Sequence, residues 1–297
     1  MDKNDKALKA VIIITAIIAA VCLLFLVGEL IRLNISDKRY SALESTAVTE
    51  LADAGSGTVA TAPPTLNLSG GSYTLALSDD FNGETLNGDI WSPCPEQERS
   101  DMGAYWDDSM ILLDGQGHLL LCAGKDEESG RYISGAIRSK DKFEQTYGYF
   151  EVRCRLQTAG GFWGAFWLMN DKVVNVDGSG RDGTEIDIFE SPYLDSGIDH
   201  ALHYDGYGEE HQKTSFTVSR PELYEGYHTY GLEWTENGYV FYVDGEETWR
   251  TDFGGVCENP LYLKLSTEIG SWAGAIDDST LPDALTVDYV RVYTLDK

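Results

Sequence analysis

From about residue 70 to the C-terminus, no long stretch of this chain carries a helical period. Apolar runs are short and are interrupted by turn residues. Tyr73 to Leu77, His118 to Ala123, Ile133 to Ser139, Ala201 to Tyr204 and Leu261 to Ser266 read as strands. Asn237-Gly238 separates Leu232-Glu233-Trp234 from Tyr239-Val240-Phe241-Tyr242-Val243 and signals a hairpin. Asp244-Gly245 then offers a second tight turn. Many short strands with regular turns predict an all-β sandwich or jelly roll.

One of these strands carries an unusual load. Glu185-Ile186-Asp187-Ile188-Phe189-Glu190 holds three carboxylates in six residues. Polar and apolar residues alternate from Glu185 to Ile188, so Glu185 and Asp187 project to one face and the isoleucines to the other. Glu190 breaks the parity. A β-bulge, one extra residue in the strand, returns it to the carboxylate face. With the bulge counted, the two glutamates lie about 13 Å apart at Cα. Their side chains can lean together to about 5–5.5 Å, the separation used when one carboxylate is a nucleophile and the other a proton donor in glycoside cleavage. Like charges along one strand face repel, so such a cluster points to chemistry more than to a solvated surface.

The hexapeptide resembles the bulged E-x-D-x-x-E signature of glycoside hydrolase family 16. Further segments resemble that family in the same order. Ser78 to Gly83 is similar to its opening strand and turn. Tyr147-Gly148-Tyr149-Phe150-Glu151-Val152-Arg153 and Tyr227 to Trp234 are similar to two further strands of the family. Gly161 to Leu168 is similar to its tryptophan-rich strand, with Gly164 in place of the usual proline. Val287 to Tyr293 is similar to its closing strand. The resemblance spans roughly residues 70 to 295.

The resemblance implies a concanavalin A-like β-jelly-roll of two stacked sheets, the concave one forming an open cleft suited to cutting a long polymer internally. It implies a retaining hydrolase with Glu185 as nucleophile, Glu190 as acid/base and Asp187 supporting Glu185. The expected substrate is β-1,3- or mixed β-1,3/1,4-glucan. A β-galactan-type glycan, transglycosylation, and a non-catalytic glycan-binding module are the alternatives. Trp163 and Trp167, four apart and so on one strand face, are candidates to stack on sugar rings. His203 matches a family histidine near the cleavage point. Tyr105, Trp106 and Trp272 sit in expected loops as further cleft candidates, whereas Trp234 reads as core. No cofactor is implied for catalysis. Asp80 and Asp288 match acidic ligands of a structural calcium that many members bind on the convex side.

The formal net charge of −27 argues against nucleic acid as a partner, because affinity for phosphates comes from Lys and Arg. It also favours a neutral glycan over a sulfated one. The expected unit is a monomer.

Residues 1–32 read as a cytoplasmic tip and a transmembrane signal anchor. Ala10 to Gly28 is an uncharged run of nineteen residues, about 28 Å long as a helix, with no small-x-small cleavage site after it. Lys3, Lys6 and Lys9 before the run nearly balance Arg32, Lys38 and Arg39 after it, so flanking charge leaves the orientation open. An enzyme acting on polysaccharide belongs outside the cell, with secretion after cleavage as the alternative. Residues 33–67 read as a flexible linker rich in Ser, Thr, Ala and Asp, leaving 68–297 as the catalytic domain. Cys94, Cys122, Cys154 and Cys257 could form two disulfides in three connectivities, or serve as small core residues.

Overall fold

The computed structural model describes residues 61–296, apart from Ser100 and Asp195. The expected membrane segment and most of the expected linker lie outside the described residues. Among the described residues, no helix is long and apolar enough to cross a membrane. The remaining structure is strands joined by turns and short 3-10 segments.

Two sheets make up the domain, antiparallel throughout except that Tyr105–Trp106 pairs parallel with Tyr132–Ser134. The larger runs, in spatial order, Glu246–Thr251, Gly238–Val243, His228–Thr235, Gly148–Arg155, Asp283–Leu295, Leu119–Lys125, Tyr132–Ser134 and Tyr105–Trp106. Gly71–Asp79 joins it along Asp283–Leu295. The second sheet runs Gln212–Val218, Gly197–Tyr204, Glu185–Tyr193, Phe162–Met169, Leu261–Ile269, Ala136–Arg138 and Ser92–Pro93.

The core lies between the sheets. Phe150, Val152, Leu232, Trp234, Phe241 and Val290 from the larger sheet share one buried cluster with Phe166, Leu168, Ile186, Ile188, Phe189, Leu202 and Leu265 from the smaller. Fully burying a side chain of this size contributes on the order of 2 kcal/mol. Alternation then decides what the outer face of the smaller sheet carries. Every second residue of Phe162–Met169 and Leu261–Ile269, among them Trp163, Trp167, Lys264 and Glu268, is turned away from that core.

One expectation needs correction and one open alternative is decided. The domain begins before residue 68, because Thr65–Leu68 forms a strand paired with Gly71–Asp79. Leu66 and Leu68 pack there against a buried tyrosine cluster of Tyr73, Tyr149, Tyr242 and Tyr293, which gives the end of the linker an apolar surface to cover. The four cysteines of the domain form no disulfide: all are free and buried. Burial raises each thiol, that of Cys122 to about 12, so they act as small core residues and are poor nucleophiles.

Candidate active site

The bulge expected in Glu185–Tyr193 is present. Leu168 pairs with Ile186, Trp167 with Asp187, Phe166 with Phe189 and Ala165 with Glu190, so Ile188 is the extra residue. Ile186, Ile188 and Phe189 all enter the core. Glu185, Asp187 and Glu190 all line one cleft of about 400 Å³ on the outer face of the smaller sheet.

A buried histidine holds the bulge from the core side. His200, on the neighbouring strand Gly197–Tyr204, places Nδ1 2.5 Å from the carbonyl oxygen of Ile188 and Nε2 2.8 Å from Thr248 Oγ1. A carbonyl only accepts, so Nδ1 carries the proton. Burial lowers the His200 pKa to about 4, which keeps the ring neutral near pH 7.

The three carboxylates differ in their surroundings. Glu185 accepts a hydrogen bond from the Tyr207 hydroxyl. Asp187 is only 4 % exposed, and its Oδ2 lies 3.3 Å from His203 Nε2. His203 in turn places Nδ1 2.8 Å from His211 Nε2, and the two rings stack. Burial holds the carboxyl of Asp187 well above the usual range, and the nearby Glu185 and Glu268 add to the effect. Glu190 is raised in the same way, by burial first and then by Asp187 and Glu185. Three carboxyls this close cannot all be ionised cheaply, so the set retains at least one proton near neutrality.

Aromatic side chains form the walls. Trp163 and Trp167 line the cleft on Phe162–Met169, and Trp106 joins them. The Trp106 indole donates to Thr267 O and the Trp167 indole to Ser266 Oγ. Trp272 is 44 % exposed and meets Trp163 edge to face at 5.1 Å between ring centres. Tyr193 meets Trp272 in turn, which gives the rim an aromatic edge. Tyr105 is not part of the cleft lining. Its ring lies under the Arg131 guanidinium and its hydroxyl donates to Glu98. Neighbouring residues of a strand face opposite ways, so Trp106 and Tyr105 could not both enter the cleft.

Sequence reasoning missed the polar residues contributed by other segments. Tyr207 follows the strand Gly197–Tyr204. Arg99, Arg138, Lys140, Lys264, Asp171 and Glu268 also line the cleft. Arg99 pairs with Glu268 at 3.0 Å and Lys140 with Asp171 at 2.5 Å. Lys264 lies over the Trp167 ring at 3.6 Å and over Trp106 at 4.7 Å. Burial lowers its ammonium pKa to about 8. Arg138, Lys264 and Glu268 follow ordinary strand alternation, the others lie in connecting segments, and only the packing of distant segments gathers them.

Two groups bear on metals. Ligand atoms of Glu185, Asp187 and His203 lie within 4.8 Å of one another and could hold a transition metal. On the other side, the Oδ1 atoms of Asp80 and Asp288 are both buried with no hydrogen-bond partner. Orphaned carboxylate oxygens are the donors a hard cation takes, so both residues fit as calcium ligands. Each also faces an arginine: Asp288 accepts from Arg153, and Asp80 lies 3.7 Å from Arg291. No third acidic, histidine or cysteine ligand joins them among the described residues, so further ligands would be backbone carbonyls or water.

Comparison with known proteins agrees with this arrangement. The family model described as Glycosyl hydrolases family 16 matches residues 99–291. An endo-1,3-1,4-beta-glycanase of Rhizobium meliloti is 33% identical over 167 residues, 56% of this chain and 34% of that protein. A keratan-sulfate endo-1,4-beta-galactosidase of Sphingobacterium multivorum is 30% identical over 242 residues, 75% of this chain and 56% of that protein. The chain thus spans between a third and about half of the length of these relatives. The laminarinase catalytic domain of Thermotoga maritima superposes with a TM-score of 0.62 at 25% identity, covering 76% of this chain and 99% of that one. With its bulged carboxylate strand, two-sheet architecture and matched family model, the chain belongs to glycosyl hydrolase family 16.

Proposed function

We propose that this protein is an endo-acting, retaining β-glycan hydrolase that cleaves β-1,3- or mixed β-1,3/1,4-glucan. The observation that carries the reading is the placement of Glu185, Asp187 and Glu190 together in one aromatic-walled cleft. Relatives named as beta-glucanases and laminarinases favour the glucan.

In this mechanism Glu185 attacks the anomeric carbon while Glu190 gives its proton to the leaving oxygen. The elevated pKa of Glu190 suits it to carry that proton near neutral pH. The Tyr207 hydroxyl fixes the Glu185 carboxylate before attack. Asp187 is a positioning residue between Glu185 and His203. Glu190, now ionised, takes a proton from water, and the resulting hydroxide displaces Glu185 from the sugar. Two inversions leave the configuration unchanged.

Incubating the protein with laminarin, lichenan, agarose, carrageenan and mucin glycans identifies the substrate. Proton NMR of the earliest glucan product should show the β-anomer. An early α-anomer would contradict a Glu185 nucleophile and imply a water between more widely spaced carboxyls.

We further propose that calcium binds through Asp80 and Asp288 and acts on stability alone. Its chemistry there is charge neutralisation of buried oxygens. Millimolar calcium should raise Tm by several degrees, on the order of 1 kcal/mol or more of stabilisation. EDTA should reverse the rise, and Asp288→Asn should abolish it. A Tm indifferent to calcium and to EDTA would remove the site.

A further inference from the structure

Two of the four cations that line the cleft have no direct ion-pair partner, although five carboxylates line it as well and Glu185 and Glu268 act on Lys264 through space. Of its four cations, Arg99 and Lys140 are paired with Glu268 and Asp171. Arg138 and Lys264 have no carboxylate within salt-bridge distance and no side-chain hydrogen bond among the described residues. The Arg138 Nε is buried without a hydrogen-bond partner. Lys264 is 7 % exposed and touches indole rings instead of a counter-ion. A cation–π contact compensates part of the cost of burying an ammonium, but it leaves the three N–H donors free. An isolated buried cation is expensive unless an anion completes it.

Register places these two side chains together and in line with the carboxylates. Arg138 is the direct cross-strand partner of Lys264, Lys264 of Trp167, and Trp167 of Asp187. At about 4.8 Å per strand, Lys264 stands roughly 10 Å from Asp187 along the sheet and Arg138 roughly 14 Å. Because the Lys264 ammonium covers a face of the Trp167 ring, a sugar bound over that ammonium, beside Trp167, would present a ring substituent to both cations. The substituent belongs to a sugar beyond the bond being cut.

We infer that the natural substrate is an acidic glycan, with a sulfate ester or a carboxylate on a sugar near Trp167 held by Arg138 and Lys264. This rests on the hydrolase reading above and, within it, replaces the neutral glucan with a charged β-glycan as the preferred substrate. It also reverses the expectation drawn from net charge. A total of −27 describes the whole chain, whereas recognition depends on the few charges that face the ligand. The acidic surface and the carboxylates of the cleft itself repel polyanions, so attraction is confined to these two residues. Guanidinium and ammonium donors to an oxyanion make charge-assisted hydrogen bonds, so discrimination of about tenfold or more over the uncharged sugar is expected.

The test compares matched substrates on the full protein. One arm uses a sulfated β-glycan oligosaccharide and its desulfated form. The other uses a carboxylated β-glycan oligosaccharide and its carboxyl-reduced form. In at least one arm, kcat/KM should favour the charged member by about tenfold or more. Arg138→Gln and Lys264→Met should each reduce that preference several-fold, and Lys264→Arg should retain it. Because Lys264→Met also alters packing between two tryptophans, Arg138→Gln is the more direct variant. Equal or better cleavage of the neutral member in both arms overturns the inference and leaves the hydrolase reading intact. If wild type cleaves none of these glycans, the hydrolase reading fails. Calorimetry with Glu185→Gln then decides the anion site alone: tighter binding of a charged member sustains it, and equal binding removes it.

Discussion

Glu185→Ala loses glucan turnover by on the order of 10⁴-fold or more, with the fold intact by circular dichroism. In the proposed mechanism the loss follows from removing the carboxylate assigned to form the glycosyl-enzyme bond. Glu185 is half-buried and is held by Tyr207, so alanine leaves a small space facing the cleft and little strain in the core. Azide or formate should enter that space and restore part of the rate on an activated aryl glycoside. The azide product should be the α-glycosyl azide, because only one inversion remains. Near-normal glucan cleavage by Glu185→Ala would show that another residue attacks the sugar.

Glu190→Ala should divide substrates by their leaving groups. Polysaccharide needs a proton at departure and should slow by about 10²- to 10⁴-fold. An aryl glycoside with a good leaving group should keep much of its first step, then stall at deglycosylation, where Glu190 is the base. The pH profile carries the same signature. The proposed mechanism starts with Glu190 protonated, and burial beside Asp187 and Glu185 raises its pKa. Activity is therefore retained above the ordinary carboxylate range and lost as pH rises through the raised value. Asp187→Asn removes one of the neighbouring charges, so the alkaline limb should move to lower pH. An alkaline limb unmoved by Asp187→Asn, or lost turnover on activated and natural substrates alike, would argue against the acid/base assignment.

Much of the fold was legible because its signals are local. Asp244 and Gly245 both adopt positive φ between Val243 and Glu246, as a tight hairpin turn requires. The neighbouring Asn237-Gly238 signal found the right hairpin with the turn displaced by one residue. Thr235 pairs with Gly238, so the turn is Glu236-Asn237 and Gly238 begins the next strand. The run from Ile133 to Ser139 divides at Gly135, because backbone packs too closely there. A Cβ on Gly135 would come within 2.4 Å of the Met110 carbonyl oxygen.

The carboxylate cluster was legible for the same reason, since parity and bulge both lie within six residues. Its surroundings were not. Tyr207 reaches Glu185 across a loop, and Arg138 meets Lys264 only through strand pairing. No local pattern encodes which strand will lie beside which. The same limit explains Tyr105, which shares a dipeptide with Trp106 yet turns to Arg131.

The bulge has a consequence for how this site can vary in length. Ile188 is unmatched on both sides: Phe166 and Trp167 oppose Phe189 and Asp187, while Ala201 and Asp199 oppose Asp187 and Glu190 with only His200 between. A gene shorter by the Ile188 codon would spell a three-strand ladder that is regular from Glu185 to Glu190, with Glu185, Asp187 and Glu190 still on one side. The shorter form would give up one isoleucine in the core and the His200 contact to its carbonyl. Five-residue and six-residue spellings of the glutamate pair are thus adjacent in sequence space. Spacing between the two glutamates is a weaker guide to such a site than the side of the sheet on which they emerge.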